Sequence, residues 1–104
     1  MGGRYNDVPP QATAFVHREE QFLLEHVATT AGNGSDSAAR AARSWAERSW
    51  RCVHDQASAA VYPNFPDPEQ PDWKTAYYGA NYERLRQIKS IYDPDGVLNG
   101  PQSI

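Results

Sequence analysis

The residues best equipped for chemistry cluster around one proline. Tyr62, Pro63, Asn64 and Phe65 end a short apolar run, and together they present two aromatic rings, a phenol and an amide. Asn64 and Asn81 each offer an amide donor and acceptor to a polar ligand or to neighbouring backbone. The plainer alternatives are that Asn64 satisfies its own loop and that Asn81 caps a helix. Other sites fail on spacing. His17, His26 and His54 show no metal-ligand interval, which leaves structural or surface roles and no metal site. Gly2-Gly3 and Gly32-Asn33-Gly34 lack the strand-to-helix context of a phosphate loop. Asp67, Glu69 and Asp72 read as solvated loop acids, and Cys52 reads as a packing partner inside a helix.

The composition excludes several classes. Ten Lys and Arg against 13 Asp and Glu give a net charge of −3 over 104 residues. No basic cluster exists to meet phosphates, so no nucleic-acid partner is expected. No apolar stretch approaches the roughly 20 residues that span a bilayer. The start, MGGRYNDVPP, lacks a positive region followed by an apolar one, so the expectation is no secretion signal, no membrane and a cytoplasmic location. A single cysteine excludes an internal disulfide framework.

The elements that must position these residues follow from periodicity. Residues 1–10 read as an extended piece ending at Pro9-Pro10. Residues 12–17 alternate as in a strand covered on both faces, and 18–20 make a polar turn. Residues 21–29 read as a second, antiparallel strand, with a short helix as the competing reading. A Gly-, Asn- and Ser-rich loop over 30–37 leads to Ser35 or Asp36 as a helix cap. The spacing of Ala38, Ala42, Trp45, Ser49 and Val53 predicts a helix over 38–56. Ala59 to Tyr62 reads as another strand, stopped by Pro63. After a Pro- and Asp-rich loop, 73–78 predicts a helical turn. Asn81 then opens a helix with stripe Tyr82, Leu85, Ile88 and Tyr92, which Pro94 terminates. Asp93-Pro94-Asp95-Gly96 is a turn, with Pro presetting one dihedral and Gly closing it. The expected fold class is α+β: a small antiparallel sheet with two main helices on one face, forming one structural unit.

The last two-fifths carry a resemblance. Residues 61–104 read VYPNFPDPEQPDWKTAYYGANYERLRQIKSIYDPDGVLNGPQSI. Tyr62, Asn64, Phe65 and Asp67, then Trp73, the stretch Tyr77 to Leu85, Lys89 to Leu98, and Pro101 to Ile104 are similar to the C-terminal signature of the berberine-bridge-enzyme family of FAD-linked oxidases. ATAFVHR at Ala12 to Arg18 resembles the strand preceding that region in bacterial members. The resemblance implies that 1–60 is the end of a substrate-binding domain and 61–104 the C-terminal segment, together a C-terminal fragment of an FAD-dependent oxidoreductase. It implies FAD as cofactor, held by an N-terminal flavin domain or split subunit outside this chain, so the isolated chain is not expected to bind it. Tyr62, Asn64 and Asn81 are the implied flavin- or substrate-side contacts. The family's usual base position is here Phe65, which cannot take a proton, so the resemblance implies a base from Tyr62 or from a residue outside this chain, or a different substrate. Leu98 replaces the usual Phe after the Asp-Pro turn. The alternative is a non-catalytic α+β module that dimerises or binds a partner, with a homo-oligomer covering bare apolar surface.

Overall fold

The structure is a computed structural model that describes residues 2–31 and 34–104. Met1 of the expected extended piece and Gly32-Asn33 of the expected 30–37 loop lie outside the described residues. The chain divides into two compact units, Met1–Phe22 with Ala60–Ile104, and Leu23–Ala59. Among the described residues there are three α-helices: α1 (Asp36–His54), α2 (Trp73–Tyr78) and α3 (Tyr82–Tyr92). Single 3-10 turns occupy Arg4–Asp7 and Gly79–Asn81.

In the Leu23–Ala59 unit, α1 forms where the apolar spacing predicts it. Ser35 is the cap: its hydroxyl accepts from the Ala38 N–H at 3.4 Å, satisfying one orphan donor of the first turn. Asp36 adds negative charge at the helix N-terminus. The Glu47–Arg51 pair at 2.5 Å and the Trp50–His54 ring stack at 4.1 Å both use i,i+4 spacing. Ser49 on the helix meets His26 Nδ1 at 2.9 Å, which pins the preceding extended segment to α1.

The expected antiparallel sheet is absent; the described residues contain no strand. The physical reason lies in who satisfies the backbone. Arg18 Nε donates to the Phe15 carbonyl at 3.1 Å and Nη1 to the Tyr5 carbonyl at 3.3 Å. Asn6 Nδ2 donates to the Arg18 carbonyl, and the Tyr5 hydroxyl donates to the Glu20 carbonyl at 2.5 Å. Side chains thus take acceptors that a ladder would have used. The alternation over 12–17 is real, but it orients side chains without supplying a neighbouring strand. The expected strand at 59–62 fails for a second reason. Ala59 adopts φ 61°, outside the extended region, and the Val61 N–H bonds the Ala76 carbonyl of α2 at 2.9 Å. Residues 21–29 form neither a strand nor a helix, and Phe22 is left 85% exposed. The fold class is therefore helices joined by extended and turn segments, not α+β.

The unit built from Met1–Phe22 and Ala60–Ile104 centres on the α2–α3 junction. Gly79 ends α2 at φ 48°, a left-handed conformation that favours glycine, and a Cβ there would sit in ordinary van der Waals contact with Val16 Cγ2 at 3.4 Å. Tyr77 is 2% exposed and Asn81 4%. Trp73 makes edge contacts with Tyr78 and Tyr82 at centroid distances of 6.3 and 5.8 Å. Tyr82 and Leu85 of the predicted stripe are half-buried, whereas Tyr92 is 83% exposed.

The turn after α3 follows its sequence signature. Asp93 leaves the helical region before Pro94, at φ −139° and ψ 59°, and the Gly96 N–H returns to the Asp93 carbonyl at 3.1 Å with Gly96 at φ 64°. The Asp93 carboxylate then accepts from Lys89 Nζ at 2.7 Å, the Val97 N–H at 2.8 Å and the Leu98 N–H at 3.1 Å. The Lys89 ammonium, assisted by those two amides, holds the Asp93 carboxyl below its ordinary value. A carboxyl lowered on folding stabilises above its unfolded pKa of about 3.9, and the contribution is lost as pH falls through the lower folded value. Amide exchange at Val97 and Leu98 is therefore expected to accelerate below about pH 4. Asp93→Asn is expected to exchange faster at neutral pH and to lose that acid-induced step. An Asn variant retaining the same acid-dependent step would contradict this account.

Candidate functional site

Tyr62 and Asn64 come together in one cleft. Asn64 Nδ2 donates to Tyr62 Oη at 2.8 Å, across a tight turn in which the Phe65 N–H bonds the Tyr62 carbonyl at 3.0 Å. The cleft, about 520 Å³, is lined by Ala14, Phe15, Tyr62, Pro63, Asn64 and Tyr78. The Tyr62 ring stands edge-on to Phe15 at 6.0 Å and to Phe65 at 5.4 Å. Phe65 thus supports the Tyr62 ring, while its own ring is largely exposed.

Asn81 offers its amide to backbone rather than capping its helix. It occupies the N-cap position of α3, yet its side chain accepts no helix N–H. Instead Nδ2 donates to the Pro10 carbonyl at 2.8 Å and the Thr13 carbonyl at 3.1 Å. Asn81 does not line the cleft. It fixes the backbone immediately before Ala14 and Phe15, which do.

Two cleft residues lay outside the sequence candidates. In the sequence Phe15 is legible only as part of an alternating run, and Tyr78 only within the 73–78 helical turn and the Tyr77 to Leu85 stretch. Their convergence requires the 12–18 segment to fold back onto α2. Burial, with the neighbouring Tyr77 and Tyr82 phenols adding to it, pushes the Tyr78 hydroxyl above its ordinary value, so it remains a hydrogen-bond donor at neutral pH.

None of the remaining candidates is among the residues lining the cleft. His17 packs edge-on against Phe15 at 5.6 Å, with a buried Nε2 that has no hydrogen-bond partner. Cys52 is exposed. No group of three or more His, Cys, Asp or Glu among the described residues could hold a metal ion. No helix among them is long and apolar enough to cross a membrane.

A chain built this way, with an aromatic cleft, an amide–phenol pair and an ordered tail, has clear relatives. Residues 61–104 match the family described as Berberine and berberine like. The uncharacterized FAD-linked oxidoreductase YgaK of Bacillus subtilis is 35% identical over 104 residues, covering all of this chain and 22% of the relative. The uncharacterized FAD-linked oxidoreductase YvdP of the same organism is 36% identical over 103 residues, 99% of this chain and 22% of the relative. The FAD-linked oxidoreductase sorD of Penicillium rubens is 35% identical over 106 residues, again covering all of this chain and 22% of the relative. No solved structure matches the chain. The chain spans about a fifth of the length of these curated relatives. Residues 61–104 are thus a BBE region, and the chain as a whole is similar to a fifth-length portion of FAD-linked oxidoreductases.

The family implies FAD, and the residues present do not fit that cofactor as a whole. No Lys or Arg lines the cleft to meet a pyrophosphate, and the cleft has no glycine-rich loop of backbone donors. What the walls do suit is an uncharged ring: three aromatic side chains, one amide and two phenolic hydroxyls.

Proposed function

We propose that this chain supplies the substrate-side wall of an FAD-dependent oxidoreductase, with Tyr62 and Asn64 as its polar contacts to the substrate or the flavin ring edge. The observation that carries the proposal is the 2.8 Å Asn64–Tyr62 hydrogen bond set among Phe15, Pro63 and Tyr78. Residues 1–60 are the end of the substrate domain and 61–104 its C-terminal segment, and the flavin-bearing domain lies outside them. Tyr62 is the group within the cleft able to take a substrate proton where Phe65 cannot, and Asn64 orients it. Asn81 contributes by holding the Pro10–Thr13 backbone behind the cleft rather than by touching the cofactor directly.

Two measurements test this reading. The isolated chain mixed with FAD is expected to leave gel filtration colourless; stoichiometric retention of the yellow chromophore would show that it binds the whole cofactor unaided. Joined to a flavin-bearing domain of this family that oxidises a known substrate, the chain is expected to support turnover. There Tyr62→Phe lowers kcat/KM by about 10²-fold or more, the range for loss of a general base. Equal turnover by Tyr62→Phe and wild type would remove Tyr62 from that role. A stable dimer of the isolated chain by light scattering, with no turnover in the joined protein, would favour the dimerising module instead.

A further inference from the structure

We propose that the C-terminal tail is a strap that holds the cleft loop in register, with Gln102 and Tyr77 as positioning residues for the Tyr62–Asn64 pair. The relevance of that pair to catalysis rests on the function proposed above; the strap itself does not. The loop from Tyr62 to Gln70 has little regular structure to hold it, and three of its residues are prolines. Its fixed point is Asp67. The Asp67 N–H donates to the Tyr77 hydroxyl at 2.8 Å, and the Asp67 carbonyl accepts from Gln102 Nε2 at 2.7 Å. The Tyr77 hydroxyl in turn lies 3.3 Å from both the Asp67 carbonyl oxygen and Gln102 Oε1, closing a ring of three residues far apart in sequence.

The tail is itself preorganised to deliver Gln102. The Ser103 N–H bonds the Gly100 carbonyl at 3.2 Å, the Ser103 hydroxyl donates to Asn99 Oδ1 at 2.8 Å, and the Gly100 N–H reaches Ser103 Oγ at 2.8 Å. The tail's entry is set by the Asp93 turn, where Lys89 Nζ also donates to the Leu98 carbonyl. The strap therefore runs from the end of α3, through a hydrogen-bonded turn, to the carbonyl of Asp67, whose N–H donates to the Tyr77 hydroxyl of α2. Asp67 is also the acceptor for the Gln70 N–H at 3.0 Å, and its carboxylate for the Glu69 N–H at 2.9 Å, so fixing Asp67 fixes the whole bend.

The test is amide exchange and side-chain NMR on the whole chain, with no ligand or flavin present, so its outcome is independent of the turnover test above. In Gln102→Ala, exchange at the Asp67 amide is expected to rise at least ten-fold. The Asn64 side-chain amide signal, assigned by its loss in Asn64→Ala, is expected to shift. Amides within α3 should keep wild-type protection. Gln102→Glu is expected to match Gln102→Ala, because a carboxylate cannot donate to the Asp67 carbonyl. Deleting residues 102–104 should reproduce both. Unchanged Asp67 exchange and an unmoved Asn64 signal in the folded variants would overturn the strap. Loss of protection spread equally through α3 would reduce Gln102 to a general stabiliser and overturn the positioning role.

Discussion

Tyr77→Ala is expected to destabilise the chain by about 3–5 kcal/mol, the range for truncating a large buried aromatic. The side chain is 2% exposed in a unit where few other residues are fully buried, so little else can fill the space. Set against the roughly 5–15 kcal/mol of a whole domain, that loss is enough to unfold the unit at moderate temperature. Tyr77→Phe separates the two contributions. It keeps the ring and leaves the Asp67 N–H without its acceptor, at an expected cost of about 1–3 kcal/mol. Urea titrations of the three proteins, followed by tyrosine and tryptophan fluorescence, give both numbers. Tyr77→Phe as stable as wild type would mean that water replaces the hydroxyl at no cost, and that the ring alone anchors the loop.

Asn81 carries the second large effect, and here the choice of substitution decides between roles. A helix cap accepts an N–H, and Asp serves at that position about as well as Asn. A donor to two carbonyls cannot be replaced by Asp, whose carboxylate would face the Pro10 and Thr13 oxygens with the wrong sign. Asn81→Asp is therefore expected to lose stability at neutral pH, as is Asn81→Ala, each by about 2–3 kcal/mol for buried polar groups left unpaired. The loss should be accompanied by faster exchange across 10–15 and by displaced Ala14 and Phe15 resonances in the cleft. An Asp variant as stable as wild type would restore the capping role and detach Asn81 from the N-terminal segment.

These two residues show how local and distant information divide. The helices α1 and α3, the Ser35 cap, the Asp93–Gly96 turn and the Pro94 stop are local events. Each depends on residues within about one helical turn, so spacing and residue type suffice to place them. The family resemblance was legible for a related reason: Tyr62, Asn64, Asp67, Trp73 and the tail keep fixed intervals along the chain. The pairing of Tyr62 with Asn64 was within reach too, since a single residue, Pro63, separates them.

What the sequence could not supply is which backbone groups remain available for a ladder. The alternation over 12–17 fits a strand, but a strand forms only with a neighbour, and Arg18 and Asn81 take the Phe15 and Thr13 carbonyls of that stretch, with Asn6 taking the Arg18 carbonyl just beyond it. Asn81 reads as a cap from its position alone; that it reaches back about 70 residues to Pro10 is a property of the folded chain. The same holds for Tyr78 and Phe15 meeting in the cleft and for Gln102 reaching Asp67. Sequence determined the helices, the turns and the family. Tertiary structure decided the partners of the buried amide and phenol, because a hydrogen bond across tens of residues depends on where the chain has already been brought by its packing.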